Sequence, residues 1–108
     1  MRTRVKICGV TNAEDALLSA RAGADAVGVI QVRGAKRFVD VGTAAEIVGV
    51  LPAFVTPVLV FADASVEEMR NVCRVTGVRT VQLHGREPVE VALGLHGVSV
   101  IKRLEVGA

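Results

Sequence analysis

The most constraining feature of the chain is a repeated alternation of short β-branched runs with segments that carry helix-start signals. The runs are 5–10, 26–31, 56–61, 80–83 and 98–102. Between them, Thr11-Asn12-Ala13-Glu14, Thr43-Ala44-Ala45-Glu46 and Ser65-Val66-Glu67-Glu68 each read as a capping box. In that box a hydroxyl and a carboxylate satisfy orphan backbone donors reciprocally. Pro88 suits the first position of a fourth helix. Gly23, Pro52 and Gly77 fall where the first three helices should stop. The spacing of Val66, Met69, Val72 and Cys73 puts them on one helical face, turned towards a sheet.

The order is therefore β-α-β-α-β-α-β-α-β. Strands joined by helical crossovers must run parallel, and such crossovers are right-handed in nearly all cases. Two architectures satisfy this order: an open doubly wound sheet, or part of a closed (βα)8 barrel. The spacing of the units is too irregular for a solenoid, and no linker or low-complexity segment interrupts them.

Polar residues inside the strands favour the barrel. Lys6 and Cys8 share one face of the first strand, opposite Val5 and Ile7. Gln82 and His84 share one face of the fourth, opposite Val81 and Leu83, and Lys102 lies between Ile101 and Arg103 in the fifth. A sheet covered by helices on both faces has no good place for such residues. A barrel with a polar mouth does, at the carboxyl ends of its strands.

Composition narrows the class further. Residues are 51% hydrophobic, largely Ala and Val, with 11 Gly besides, three Phe and neither Tyr nor Trp, which suits strands covered by helices. Thirteen basic and 11 acidic residues leave a net charge of +2, and only Arg33, Lys36 and Arg37 cluster. There is no basic stripe and no aromatic platform for nucleic acid. No apolar run approaches the ~18 residues of a membrane span. Arg2, Arg4 and Lys6 interrupt anything resembling a signal peptide. Cys8 and Cys73 show neither C-x-x-C nor metal spacing, so the expectation is a soluble, cytoplasmic protein without disulfide or metal.

Cys8 ends the first strand, before Gly9 and a helix N-terminus. That position favours thiolate and hence a base or nucleophile; the alternative is a small buried hydrophobe. Arg37 can recognise a carboxylate or be a solvated loop charge beside Lys36. His84 can face an active-site mouth or shape the turn at Gly85. Cys73 and His96 fall on helical segments, with packing and surface roles respectively.

The segments KICGVTNAEDA (6–16), GADAVGVI (23–30), Lys36-Arg37-Phe38-Val39, PVLVF (57–61), VQLHG (81–85) and VIK (100–102), in this order, resemble the phosphoribosylanthranilate isomerase family. The resemblance implies a partial (βα)8 barrel over 1–108, comprising its first five strands. It also implies an Amadori rearrangement of N-(5′-phosphoribosyl)anthranilate, a phosphosugar, without cofactor. The family's general base matches Cys8, its carboxylate-binding arginine matches Arg37, and His84 matches a position facing the mouth. The segment 31–37 departs from the family, lacking the usual aromatic, proline and serine. The family's general acid, an aspartate ending the sixth strand, and its phosphate cradle in the seventh and eighth loops have no match here. None of Asp15, Asp25, Asp40 and Asp63 corresponds to that acid. The expectation is a polypeptide inactive alone, which either self-associates or is completed by a partner chain. Rival readings are a non-catalytic half-barrel interaction module and a flavodoxin-like phosphate-binding sheet, which lacks a Gly-rich phosphate loop.

Overall fold

A computed structural model describes residues 2–102; the end of the chain, including Arg103 and Ala108, lies outside the described residues. Five strands, β1 (Lys6–Cys8), β2 (Ala26–Ile30), β3 (Thr56–Phe61), β4 (Thr80–Leu83) and β5 (Ser99–Lys102), alternate with four helices. These are α1 (Ala13–Arg21), α2 (Val41–Gly49), α3 (Val66–Thr76) and α4 (Val89–Leu93). The strands form one parallel sheet in the order β1-β2-β3-β4-β5.

That order decides between the two architectures. A doubly wound sheet reverses direction at a switch point, which sends helices to both faces. Here each strand adds beside the last, so successive right-handed crossovers leave every helix on the same side. The flavodoxin-like reading is thereby excluded. Val27, Val29, Leu59, Phe61, Val81 and Leu83 form the sheet's share of the core, against Ala16, Ala44, Ile47, Met69, Val72 and Cys73 from the helices. Met69, Val72 and Cys73 are buried as the helical spacing predicts, with Val66 packed at the margin.

The opposite face of the sheet is strongly concave. Lys6 of β1 hydrogen-bonds through Nζ to Oε1 of Gln82 of β4, reaching over the two strands between them. Val58 and Val60 of β3 are buried beneath this strap, apart from the main core cluster.

The local signals hold with shifts of register. At α1 the cap is Asn12 and not Thr11. Its Oδ1 accepts from the Asp15 amide at 2.7 Å, while its Nδ2 donates to the Asp15 carboxylate at 3.0 Å. The cap thus stands one residue later than Thr11, and the return contact from Asp15 goes to the Asn12 side chain and not to a backbone donor. At α2 the cap is Asp40, which accepts from the Thr43 amide at 2.8 Å, so the helix starts before Thr43. That hydrogen bond holds the Asp40 carboxyl below its usual range. A carboxylate outcompetes a hydroxyl that would forgo the turn before it. Ser65 caps α3 as expected, accepting from the Glu68 amide at 3.0 Å. Pro88 stands at the cap of α4, one residue before the first helical position, and contributes no side-chain bond there. His96 lies in an exposed turn after α4, not in a helix.

Lys102 also departs from the expected pattern. In the β4–β5 register Ile101 pairs with Gln82 and takes the concave face, while Lys102 pairs with Leu83 and takes the helical side. Its side chain turns back towards Glu87.

The capping geometry makes a direct prediction. Replacing Asn12, Asp40 or Ser65 by Ala should each cost about 0.5–2 kcal/mol in chemical denaturation. Thr11→Ala should cost less than Asn12→Ala, and a larger loss for Thr11→Ala would contradict the assigned cap.

Candidate active site

The sequential sheet brings the carboxyl ends of the strands to one rim. There, on the concave side, a cleft of about 410 Å³ is lined by Cys8, Lys36, Arg37, Gln82 and His84, over apolar walls from Ile30, Val32, Ala35, Val60 and Ala62. Cys8 comes from the end of β1, Arg37 from the loop after β2 and His84 from the residue after β4. Residues 76 positions apart in the chain thus face one space.

Two glycines shape the Cys8 corner. Gly9 holds φ +87°, a conformation that L side chains rarely adopt. A Cβ there would also stand 2.9 Å from Cδ of Arg37, so the guanidinium arm lies directly against the turn after Cys8. The amides of Gly9 and Val10 both donate to the Gly28 carbonyl, at 3.0 and 3.3 Å, and anchor that turn to β2. A Cβ on Gly28 would lie 2.9 Å from the Cys8 sulfur, so its absence gives the thiol its position.

The Arg37 loop is fixed at its base by Gln31, a buried residue. Its Nε2 donates to the carbonyls of Val39 (2.8 Å) and Ile30 (3.1 Å), joining the two ends of the loop. The isolated bridge between Ile30 and Phe38 draws them together as well. Gln31 thus closes the loop by hydrogen bonds. Farther out, the Arg33 guanidinium lies 5.9 Å from the Phe38 ring centroid and 3.5 Å from the Glu68 carboxylate.

The two cysteines have opposite environments. Cys8 is exposed on the concave face, which removes the reading of it as a buried hydrophobe. Cys73 is buried among helix-side residues, and that burial pushes its thiol pKa up.

Several participants had little sequence signal. Gly28 reads as a strand glycine and Glu87 as a loop charge before proline. Only Gly28 could have been singled out, since a glycine inside a strand can mark a close approach. Among the described residues there is no group of three His, Cys, Asp or Glu arranged to hold a metal ion. No described helix is long and apolar enough to cross a membrane.

A one-sided parallel βα arc with a polar cleft at the carboxyl ends of its strands defines this chain as part of a TIM-barrel-type protein. More narrowly, it belongs to the N-(5′-phosphoribosyl)anthranilate (PRA) isomerase family, whose model matches residues 5–108. The N-(5′-phosphoribosyl)anthranilate isomerase of Chlorobaculum parvum is 44% identical over 106 residues, covering 97% of this chain and 48% of that protein. The crystal structure of the Thermotoga maritima phosphoribosyl anthranilate isomerase superposes with a TM-score of 0.90 at 42% identity, covering 94% of this chain and 50% of that one. The Thermus thermophilus structure gives a TM-score of 0.91 at 38% identity, over 96% and 52%. The chain spans about half the length of the curated relatives it matches.

The cleft predicts unequal thiols. In the native chain, a disulfide reagent should modify Cys8 promptly and Cys73 only on unfolding. Gly28→Ala should displace the Cys8 sulfur, change its modification rate and cost about 1–3 kcal/mol of stability. Equal reactivity of both thiols in the native state would contradict the placement.

Proposed function

We propose that this chain supplies the first five βα strands and half the catalytic cleft of a phosphoribosylanthranilate isomerase. The observation that carries this reading is the convergence of Cys8, Arg37 and His84 on one cleft from three different strand ends. Further support comes from a family structure solved with reduced 1-(o-carboxyphenylamino)-1-deoxyribulose 5-phosphate, on which this chain superposes with a TM-score of 0.90.

In this reading the substrate is N-(5′-phosphoribosyl)anthranilate and the reaction turns its aminoaldose into an aminoketose, a step of tryptophan biosynthesis. A general acid protonates the furanose ring oxygen and opens the ring to a Schiff base. Cys8 then removes the proton from sugar C2 as general base. Arg37 holds the anthranilate carboxylate with its planar guanidinium fork, and His84 contacts the substrate at the mouth. The ring C1–O bond breaks as the nitrogen lone pair forms C=N, loss of the C2 proton gives an enolamine, and its tautomerisation gives the aminoketose; these steps call for neither metal nor cofactor, and the site of action is the cytoplasm.

The acid has no candidate within these residues. Asp63 stands at the right rim, but its carboxylate accepts from the Arg86 amide at 2.9 Å and packs against Gly85. The resemblance assigns the acid to a sixth strand and the phosphate cradle to the seventh and eighth. We therefore read residues 1–108 as one partial barrel domain, inactive as an isolated polypeptide.

That polypeptide should also seek a covering. Among the described residues β1 and β5 each pair on one side only, and Ile7 and Ile101 are exposed. An unsatisfied buried backbone group costs ~1–3 kcal/mol against a net domain stability of ~5–15 kcal/mol. Self-association or a completing partner chain relieves this, and a non-catalytic interaction module would use the same edges.

Two experiments test the reading. Sedimentation of the 108-residue polypeptide should give an oligomer or a loosely packed species; a monomer with a sharp, concentration-independent melting transition would contradict it. Joining residues 1–102 to the part of the Thermotoga maritima relative that runs from the helix after its fifth strand through its eighth βα unit should give measurable isomerisation, absent from the 108-residue polypeptide. In that completed barrel Cys8→Ser should lower kcat/KM by ~10²–10⁴-fold. Full activity of the Cys8→Ser variant would remove Cys8 as the base. An inactive but well-folded barrel would favour the interaction module.

A further inference from the structure

Glu87 is the only charged residue among the buried ones described, with its side chain 1% exposed. An isolated carboxylate could not stay ionised there, so its partners matter. Oε1 accepts from Nζ of Lys102 at 2.8 Å, and Oε2 accepts from the backbone amides of Asp63 (2.8 Å) and Gly85 (3.3 Å). Lys102 donates to the Gly85 carbonyl as well, at 2.6 Å. One carboxylate therefore gathers the turn after β3, the turn after β4 and the end of β5.

The neighbouring geometry shows how closely these turns are held. Asp63 has φ +56°, the one positive value among the described non-glycine residues. Its carboxylate would stand 2.6 Å from a Cβ on Gly85, so the two turns are in contact. His84 lies between the anchors: its amide donates to the Phe61 carbonyl at 2.8 Å, and the next residue, Gly85, is bound on both its N–H and its C=O.

We propose that Glu87 and Lys102 form a charge-dependent clasp that fixes the turns after β3 and β4 and thereby positions His84 at the mouth of the cleft. They are positioning residues that act through His84 and do not touch the substrate. The consequence for substrate binding rests on the isomerase reading above; the clasp itself does not.

Burial pushes the Glu87 carboxyl up, but the Lys102 ammonium and the two amides outweigh it, and the balance lies below the usual glutamate range. A depressed folded value means that the clasp is fully formed above the ordinary glutamate pKa and lost as pH falls through the lower folded value. The charged and titratable groups around it are Lys102 from β5, Asp63 from the β3 turn, and His84 and Arg86 from the β4 turn.

The test is nuclear magnetic resonance on the ¹⁵N-labelled completed barrel, in wild type, Glu87→Gln, Lys102→Met and Lys102→Arg. In Glu87→Gln and Lys102→Met, protection of the Asp63 and Gly85 amides against exchange should fall at least about tenfold. The His84 imidazole signals should shift, while the amides of Val29 and Leu59 stay protected. Lys102→Arg, which keeps the charge, should restore the wild-type His84 signals. Acidifying wild type should reproduce the change with the midpoint of the Glu87 carboxyl, and Glu87→Gln should not respond in that range. Unchanged His84 signals in Glu87→Gln, or an equal loss of protection at Leu59, would overturn the proposal. Should Glu87→Gln fail to fold, the wild-type titration decides: the His84 signals must change with the midpoint of Glu87, and signals that do not change there overturn the clasp. A completed barrel without isomerase activity would leave all these outcomes readable.

Discussion

Right-handed crossovers between strands laid down in sequential order force every helix to one side of the sheet, and the rest of the structure follows from that asymmetry. The side facing the helices becomes a dry core of Val27, Val29, Leu59, Phe61, Val81 and Leu83. The other side curls inwards, far enough for Lys6 of β1 to reach Gln82 of β4. Parallel strands also end together, so every strand–helix turn that carries chemistry stands on the same rim. A cleft at that rim is then a geometric consequence of the topology.

The same asymmetry gives identical residue types different chemistry. Cys73 sits on the helical side, where desolvation favours the neutral thiol. Cys8 sits on the concave side, exposed, with the Arg37 side chain against the adjoining Gly9. Lys6 and Lys102 show the contrast among cations. Lys6 crosses the concave face, whereas Lys102, on the helical side of β5, neutralises the buried Glu87. Polar residues inside these strands act as ties, each joining elements far apart in sequence.

Much of this was legible in the residues. All five strands were placed to within two residues at each end, because β-branched runs bounded by glycine, proline and capping residues leave few alternatives. The shared rim of Cys8 and His84 followed from strand order and alternation, whereas Arg37, a loop residue, was pointed to only by the family resemblance. The errors arose where two residues competed for one local task. Asn12 displaced Thr11 and Asp40 displaced Thr43 at helix starts, since Asn and Asp are the stronger caps and each sets the helix start at its own position. The face of Lys102 was misread because alternation within a short strand has no fixed phase until its partner's register is known. Glu87 gave no signal at all. Its role depends on a lysine 15 residues away and on an amide 24 residues away, contacts that only the folded chain creates.

In the proposed isomerase reading, the concave cleft takes the anthranilate end of a phosphosugar through residues of β1, the β2 loop and β4. This reading is tested most directly by titrating the ¹⁵N-labelled chain with the reduced 1-(o-carboxyphenylamino)-1-deoxyribulose 5-phosphate found in the family structure. The account predicts saturable shifts at Gly9, Arg37 and His84, lost in Arg37→Ala, with Ala44 and Met69 on the helical side undisturbed. Shifts confined to the helical side, or shifts at the cleft that survive Arg37→Ala unchanged, would contradict it.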